Sequence, residues 1–265
     1  MRNIRLTIEY NGKEFGGWQK QPKKLNIQGE IERAIKEITG EEVELIASGR
    51  TDAKVHSLGQ MANFKTNSKI PIEKFEPALN SKLKQTIRIL KAEEVEEDFH
   101  CRYNCKKKTY RYVINKSTCS SAIMKDFEYF EPRKLNIKEM KKAIKYFEGE
   151  HDFKAFKASG TSSKTSVRKI FETKIIETND IIKELKDNKK TKDLNKIIPP
   201  NRIYIEITGS GFLYNMIRII AGTLLEVGYG NIKAEDIPKI IEKGKREEAG
   251  KTLPPQGLFL IDVKY

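Results

Sequence analysis

The sequence predicts an α+β chain made of two ferredoxin-like halves. Three observations predict it. The first hundred residues run strand, helix, strand, strand, helix, strand, the split βαβ order. A looser copy of that order follows. Between them, around Glu96–Lys107, the apolar pattern lapses, which divides the chain into residues 1–105 and 106–265. The two copies share no close repeat in their letters, so the duplication is one of element order only.

The elements follow from periodicity and punctuation. From Arg5 to Tyr10 apolar and polar residues alternate, with Leu6, Ile8 and Tyr10 on one face of a strand. Asn11-Gly12 marks a turn, and Trp18, the only tryptophan, reads as a core or lid anchor rather than a ligand contact. Asn26 is placed to cap a helix from Ile27 to about Thr39, whose Ile27, Ile31, Ala34, Ile35 and Ile38 form one stripe, and Gly40 stops it. Val43–Ala47 and Met61–Lys65 are strands, Ile72–Ser81 a helix after Pro71, and Ile87–Val95 a strand. In the second half, Thr109–Ile114, Val167–Ile176, Ile203–Thr208 and Gly257–Val263 read as strands. Asn136–Phe147 reads as an amphipathic helix, Phe212–Leu225 as an apolar helix opened by Gly209-Ser210-Gly211, and Ile237–Glu242 as a short helix. His151, Asp152, Phe153 and Phe156 read as a packed loop. The Lys-, Asp- and Asn-rich stretch from Asp180 to Pro200 reads as a solvated hairpin insertion, with a basic arm as the other reading.

Composition narrows the function. In 265 residues, 51 Lys and Arg against 37 Asp and Glu leave a formal net charge of +14. A surplus of that size suits an anionic partner, nucleic acid or a membrane surface, although a merely Lys-rich surface is the plainer alternative. No stretch approaches the ~20 apolar residues that span a bilayer, and the charged N-terminus reads as a strand rather than a signal peptide. Three cysteines, an odd number, fit a reducing cytoplasm. His100, Cys101 and Cys105 have poor zinc spacing, and no second ligand pair accompanies them, so no metal is expected.

One stretch carries chemistry. Ser48–His56 reads SGRTDAKVH, with Arg50 and Asp52 two residues apart and therefore on one side if the loop is extended. Taken alone, such a triplet is most simply a surface loop with a local ion pair. Four other clusters stand out. Phe99–Tyr103 runs into Lys106, Lys107, Lys108, Tyr110 and Tyr112, where basic groups suit phosphates and aromatic faces suit bases. Tyr110 and Tyr112 share a strand face, one expected in the core and one at a site. Arg218 stands alone among Met216, Ile217, Ile219 and Ile220, and a charge on such a face calls for a partner, usually a carboxylate. Pro254–Phe259 is a constrained turn into an apolar strand. The fourth cluster, His151–Phe156, is the packed loop already described.

Five segments in order, YNGKEFGGWQKQ, GRTDAKVHSLGQ, DFHCRYNCKKKTYRY, GFLYNMIRIIAGTLLEVG and GLFLIDVKY, resemble the tRNA pseudouridine synthase A family, and they run from Tyr10 to Tyr265. The resemblance implies isomerisation of uridine to pseudouridine at positions 38 to 40 of the tRNA anticodon stem-loop. It implies Asp52 as the catalytic carboxylate, Tyr110 as the tyrosine stacked on the target base and Arg218 as the partner of Asp52. Arg50 then helps hold the extruded nucleotide, and Leu258 packs in the pocket. It further implies a cytoplasmic homodimer without metal or cofactor, whose two halves form one continuous sheet with a cleft between them. Lys54 departs from the glycine usual there and is expected to disfavour a positive φ. The Asp180–Pro200 stretch is longer than usual. Both departures bear on RNA choice, and leave open the same chemistry on another RNA such as ribosomal RNA, or a non-catalytic RNA-binding protein.

Overall fold

The computed structural model describes residues 1–22, 24–160, 165–187 and 199–265. It is a mixed α+β chain of two compact units: Met1–Lys108 with Phe259–Tyr265, and Thr109–Leu258. In both, helices flank a mostly antiparallel sheet.

The first unit is built on β1 (Arg2–Tyr10), β2 (Ile46–Ala47), β3 (His56–Thr66) and β4 (Ile87–Val95), ordered β4-β1-β3. β1 lies antiparallel between its neighbours, with Leu6 opposite Ala62 on one side and Ala92 on the other. The free edge of β3 is shared. β2 pairs with it at Asn63 and Ala62, and the chain's last strand joins it in parallel at His56 and Ser57 through Phe259 and Leu260. Helices α1 (Ile27–Thr39) and α2 (Ile72–Lys82) bury Ile27, Ile31, Ile35, Phe75 and Leu79 against Ile4, Leu6, Ile8, Ile87 and Ile89. Each such side chain contributes roughly 1.5–3 kcal/mol when fully buried. The boundaries of α1 fall where expected. The Asn26 side chain accepts from the Gly29 N–H at 2.8 Å, and Gly40 ends the helix at φ 76°. Trp18 is buried in this core.

The second unit orders its strands β5-β9-β8-β7. They are β5 (Lys107–Asn115), β7 (Gly149–Asp152), β8 (Val167–Glu177) and β9 (Arg202–Gly209), with the short β6 (Tyr129–Phe130) parallel to β5. Its α-helices, among the described residues, are α3 (Ile137–Lys145), α4 (Thr178–Asp187), α5 (Met216–Tyr229) and α6 (Ile237–Lys243). The last strand is β10 (Leu258–Lys264).

Three expectations change here. His151 and Asp152 belong to a strand, β7, where His151 pairs with Arg168; Gly-Glu-His-Asp has no apolar alternation to announce it. The apolar helix begins at Met216, not Phe212, because Asn215 takes a left-handed φ of 61° and breaks the run. The stretch read as a hairpin opens as helix α4, with Ile182 buried on it; residues 188–198 of that stretch lie outside the described residues. Among the described residues no helix is long and apolar enough to cross a membrane.

Candidate active site

Asp52 lies, half-buried, on the loop between β2 and β3. That loop is held at nearly every step. At its start the Ser48 N–H donates to the Met61 carbonyl at 2.8 Å, and its hydroxyl to Gln60 Oε1 at 2.7 Å. Gln60 Nε2 in turn donates to the Gly49 carbonyl at 2.8 Å. Further on, the Thr51 carbonyl accepts from the Trp18 N–H at 3.0 Å, and its hydroxyl bonds the buried Tyr10 phenol at 2.7 Å. Lys54 N–H donates to the Phe15 carbonyl at 3.3 Å, and Val55 N–H to the Asp52 carbonyl at 3.2 Å.

Two glycines of the YNGKEFGGW stretch make this possible. A Cβ at Gly12 would stand 2.0 Å from the Val55 carbonyl oxygen. One at Gly17, whose φ is 106°, would stand 2.8 Å from the Thr51 oxygen and 3.1 Å from the Asp52 carbonyl carbon. The two motifs are thus one object, a glycine-lined bed with the Asp52 loop lying on it. His56 closes the far end: its Nδ1 accepts from the Gly12 N–H at 3.1 Å, and its ring stacks on Phe259 at 4.8 Å.

Lys54 does adopt a positive φ, 64°, against expectation. The hydrogen bond at its own N–H and the tight turn around it hold it in a conformation that costs a non-glycine residue about 1–2 kcal/mol. Arg50, between the two pinned stretches, is exposed.

Lys108 also departs from expectation. Rather than facing solvent to meet a phosphate, it turns inward, and its ammonium donates to the Ser48 carbonyl. Burial lowers its pKa, and the Arg102 charge adds to the lowering. Cys101 is buried deeply enough for its thiol to rise to about 12.

In the second unit, Tyr110 and Tyr112 are both buried, at 8% and 0% exposure. Tyr110 meets Phe212 edge to face at 5.2 Å, and Phe212 fits because Gly209 has no side chain to obstruct it. Tyr112 donates its phenol to the Pro254 carbonyl at 2.7 Å and fills the space beside Gly257, where a Cβ would lie 2.9 Å from its ring. Leu258, the next residue, is buried. Arg111, on the opposite strand face, pairs with Glu206 and lies over Tyr204 at 4.6 Å.

Arg218 is fixed by oxygen acceptors. Its Nε donates to the Leu253 carbonyl at 2.6 Å and one terminal nitrogen to Asn215 Oδ1 at 2.5 Å. The 249–253 segment is brought to α5 by two facing glycines: Gly222 would collide with the Lys251 carbonyl at 1.9 Å, and Gly250 with the Gly222 backbone at 2.5 Å, if either carried a Cβ. The Gly250 N–H then donates to Thr223 Oγ1 at 2.9 Å. Sequence reasoning missed Lys108, Gln60 and this glycine pair as positioning groups. Gln60, Gly222 and Lys108 lie inside the motif segments, but nothing in their letters says what they hold.

A carboxylate is a group able to act as base or nucleophile, and a net charge of +14 suits an anionic partner. A family model described as tRNA pseudouridine synthase matches residues 6–104 and 143–265. Proteins named tRNA pseudouridine synthase A from Caldicellulosiruptor saccharolyticus and Acetivibrio thermocellus are 51% and 48% identical over 265 residues, covering 100% of both chains in each case. One from Clostridium perfringens, named tRNA pseudouridine synthase A 2, is 47% identical over the same full length. The chain belongs to the tRNA pseudouridine synthase family, and is accordingly an isomerase that converts uridine to pseudouridine in tRNA.

Proposed function

We propose that this chain modifies uridines 38 to 40 of the tRNA anticodon stem-loop, with Asp52 as catalytic nucleophile. The observation that supports this most is the loop clamp. Hydrogen bonds before and after Asp52, and the backbone approach at Gly17, keep its position from drifting. Precise placement of a reacting group is worth several kcal/mol of barrier.

The reaction breaks the bond from C1′ to N1, turns the uracil, and joins C1′ to C5. N1 gains a proton and C5 loses one, so the change is redox-neutral. Asp52 attacks C1′ and is displaced when C5 takes its place. The target uridine must first leave its stack, at a cost of roughly a few kcal/mol. Tyr110 recovers about 1–3 kcal/mol by stacking on the extruded base. Its ring, braced by Phe212, supports that role. Arg218 pairs with Asp52 and keeps it ionised; the two oxygens that fix its guanidinium support a positioned role. Arg50, exposed beside Asp52, steadies the flipped nucleotide through its phosphate, and Leu258 packs on the base.

The reading extends to architecture: two ferredoxin-like halves, one carrying Asp52 and the other Tyr110 and Arg218. The first unit's order, β4-β1-β3 with β2 beyond, supports its half of this. We take the enzyme as a homodimer on the anticodon arm, and as cytoplasmic, the last of which its three free cysteines support.

The test is tritium release from tRNA labelled at uridine C5, for wild type and Asp52→Ala. Release by wild type that vanishes in the variant, with tRNA binding kept, is the expected result. Release surviving in Asp52→Ala would remove the assigned nucleophile.

A further inference from the structure

Gly49, the glycine of GRTD, has no positive φ to explain it. What occupies its missing side-chain position is an ammonium group. A Cβ there would stand 2.9 Å from Lys108 Nζ. The same nitrogen donates to the carbonyl of Ser48, one residue earlier. The lysine therefore reaches the loop backbone through the gap at Gly49, and a Cβ there would make the end of the lysine side chain shift off its acceptor.

The base of Lys108 is itself pinned. Lys106 N–H donates to the Lys264 carbonyl at 2.8 Å. Upstream, the Cys101 N–H donates to Asn63 Oδ1 at 2.9 Å, and the Tyr265 phenol to the Cys101 carbonyl at 3.1 Å. A lysine usually wanders on four rotatable carbons. This one starts from a fixed strand end and finishes on a fixed acceptor. The Ser48 carbonyl has its N–H and hydroxyl neighbours already committed to Met61 and Gln60. Lys108 completes the set, and Asp52 follows four residues later.

We propose that Lys108 is a positioning residue for the isomerisation: by holding the Ser48 carbonyl through the gap at Gly49, it sets the loop from which Asp52 acts. The inference rests on Asp52 being the catalytic carboxylate. It gives Lys108 a role distinct from phosphate binding, which its place in a Lys-Lys-Lys run would suggest.

The two roles separate in kinetics. If Lys108 bound a phosphate, removing its ammonium would weaken tRNA binding and reduce the salt slope by about one unit. If it positions the loop, the same change lowers the single-turnover rate at saturating tRNA and leaves Kd and salt slope in place. The experiment measures both for Lys108→Met, Gly49→Ala and the double variant, at a temperature where each is folded by circular dichroism. Expected are a rate loss of roughly 10- to 100-fold for each single variant, Kd within about twofold, and a double variant no slower than the slower single, because both remove the same interaction. Lys108→Gln, which keeps an N–H donor on an uncharged arm, recovers part of the rate if donation to Ser48 matters. If the double variant's loss were instead the product of the singles, or Lys108→Met kept its rate, the proposal would be overturned. A loss confined to Kd and salt slope would overturn it equally, in favour of phosphate binding. Asp52→Ala run alongside keeps the two readings apart: its activity tests the nucleophile, whereas the coupling between Gly49 and Lys108 tests the positioning role.

Discussion

Replacing Gly17 by alanine should slow the chemistry without touching RNA affinity. Gly17 is buried beneath the loop, and two effects add at this site. Its φ of 106° lies where L-residues are strained, which costs of order 1–3 kcal/mol. The new Cβ would also sit 2.8, 3.1 and 3.2 Å from Thr51 O, Asp52 C and Ala53 N, all backbone atoms that no rotamer change can move aside. Restoring ordinary contact requires the Asp52 loop to retreat by about half an ångström. A misplacement of about 1 Å can lower a rate by about 10²-fold, so half of that corresponds to roughly tenfold. Gly17→Ala should therefore lose about 2–3 kcal/mol of stability and about tenfold in single-turnover tritium release, with tRNA Kd unchanged. Gly40→Ala is the matched control. Its φ of 76° is also left-handed, but nothing lies within 4 Å of its Cβ, so it should lose stability and keep the rate. A Gly17→Ala enzyme with wild-type rate and melting temperature would refute the clamp, and with it the reasoning that makes the glycine motif part of the site.

Two other predictions concern stability. In the second unit Arg202 donates to both oxygens of Glu128, at 2.9 and 3.0 Å, with both side chains buried. Arg202→Met leaves that buried carboxylate its Asn115 amide donor, at 2.6 Å, but takes away its guanidinium partner, and should cost about 3–5 kcal/mol in urea unfolding, whereas Arg202→Met with Glu128→Leu should recover most of it; a single variant within about 1 kcal/mol of wild type would contradict this account. Lys54→Gly relieves a left-handed residue worth about 1–2 kcal/mol and adds roughly 0.5–1 kcal/mol of freedom to the unfolded chain. The melting temperature should rise slightly, and a fall would mean that the Lys54 side chain, not its backbone, governs the turn.

Local patterning made several features legible. The alternation of Leu6, Ile8 and Tyr10, and the stripe from Ile27 to Ile35, state which face is buried, because strand and helix repeat with fixed periods. Asn26 and Gly40 state where a helix ends, because a side-chain oxygen and a left-handed residue satisfy its terminal groups there. Asp52 was likewise conspicuous as a charge on a loop between two strands. Other features depend on atoms far away in the chain. Nothing in Phe259–Leu260 says that they pair with His56–Ser57. Nothing in a run of three lysines says that the last turns inward to Ser48. Periodicity reports burial but not the partner, and a glycine's letter does not name what fills the space beside it: the Val55 carbonyl at Gly12, the Lys108 ammonium at Gly49 and the Tyr112 ring at Gly257. The sequence by itself determined most of the elements of the first unit, their buried faces and the carboxylate to watch, while β7 and α4 escaped it. Only the tertiary structure decided which backbone lies against which, and so how firmly that carboxylate is held, because close packing is a relation between segments that no local pattern encodes.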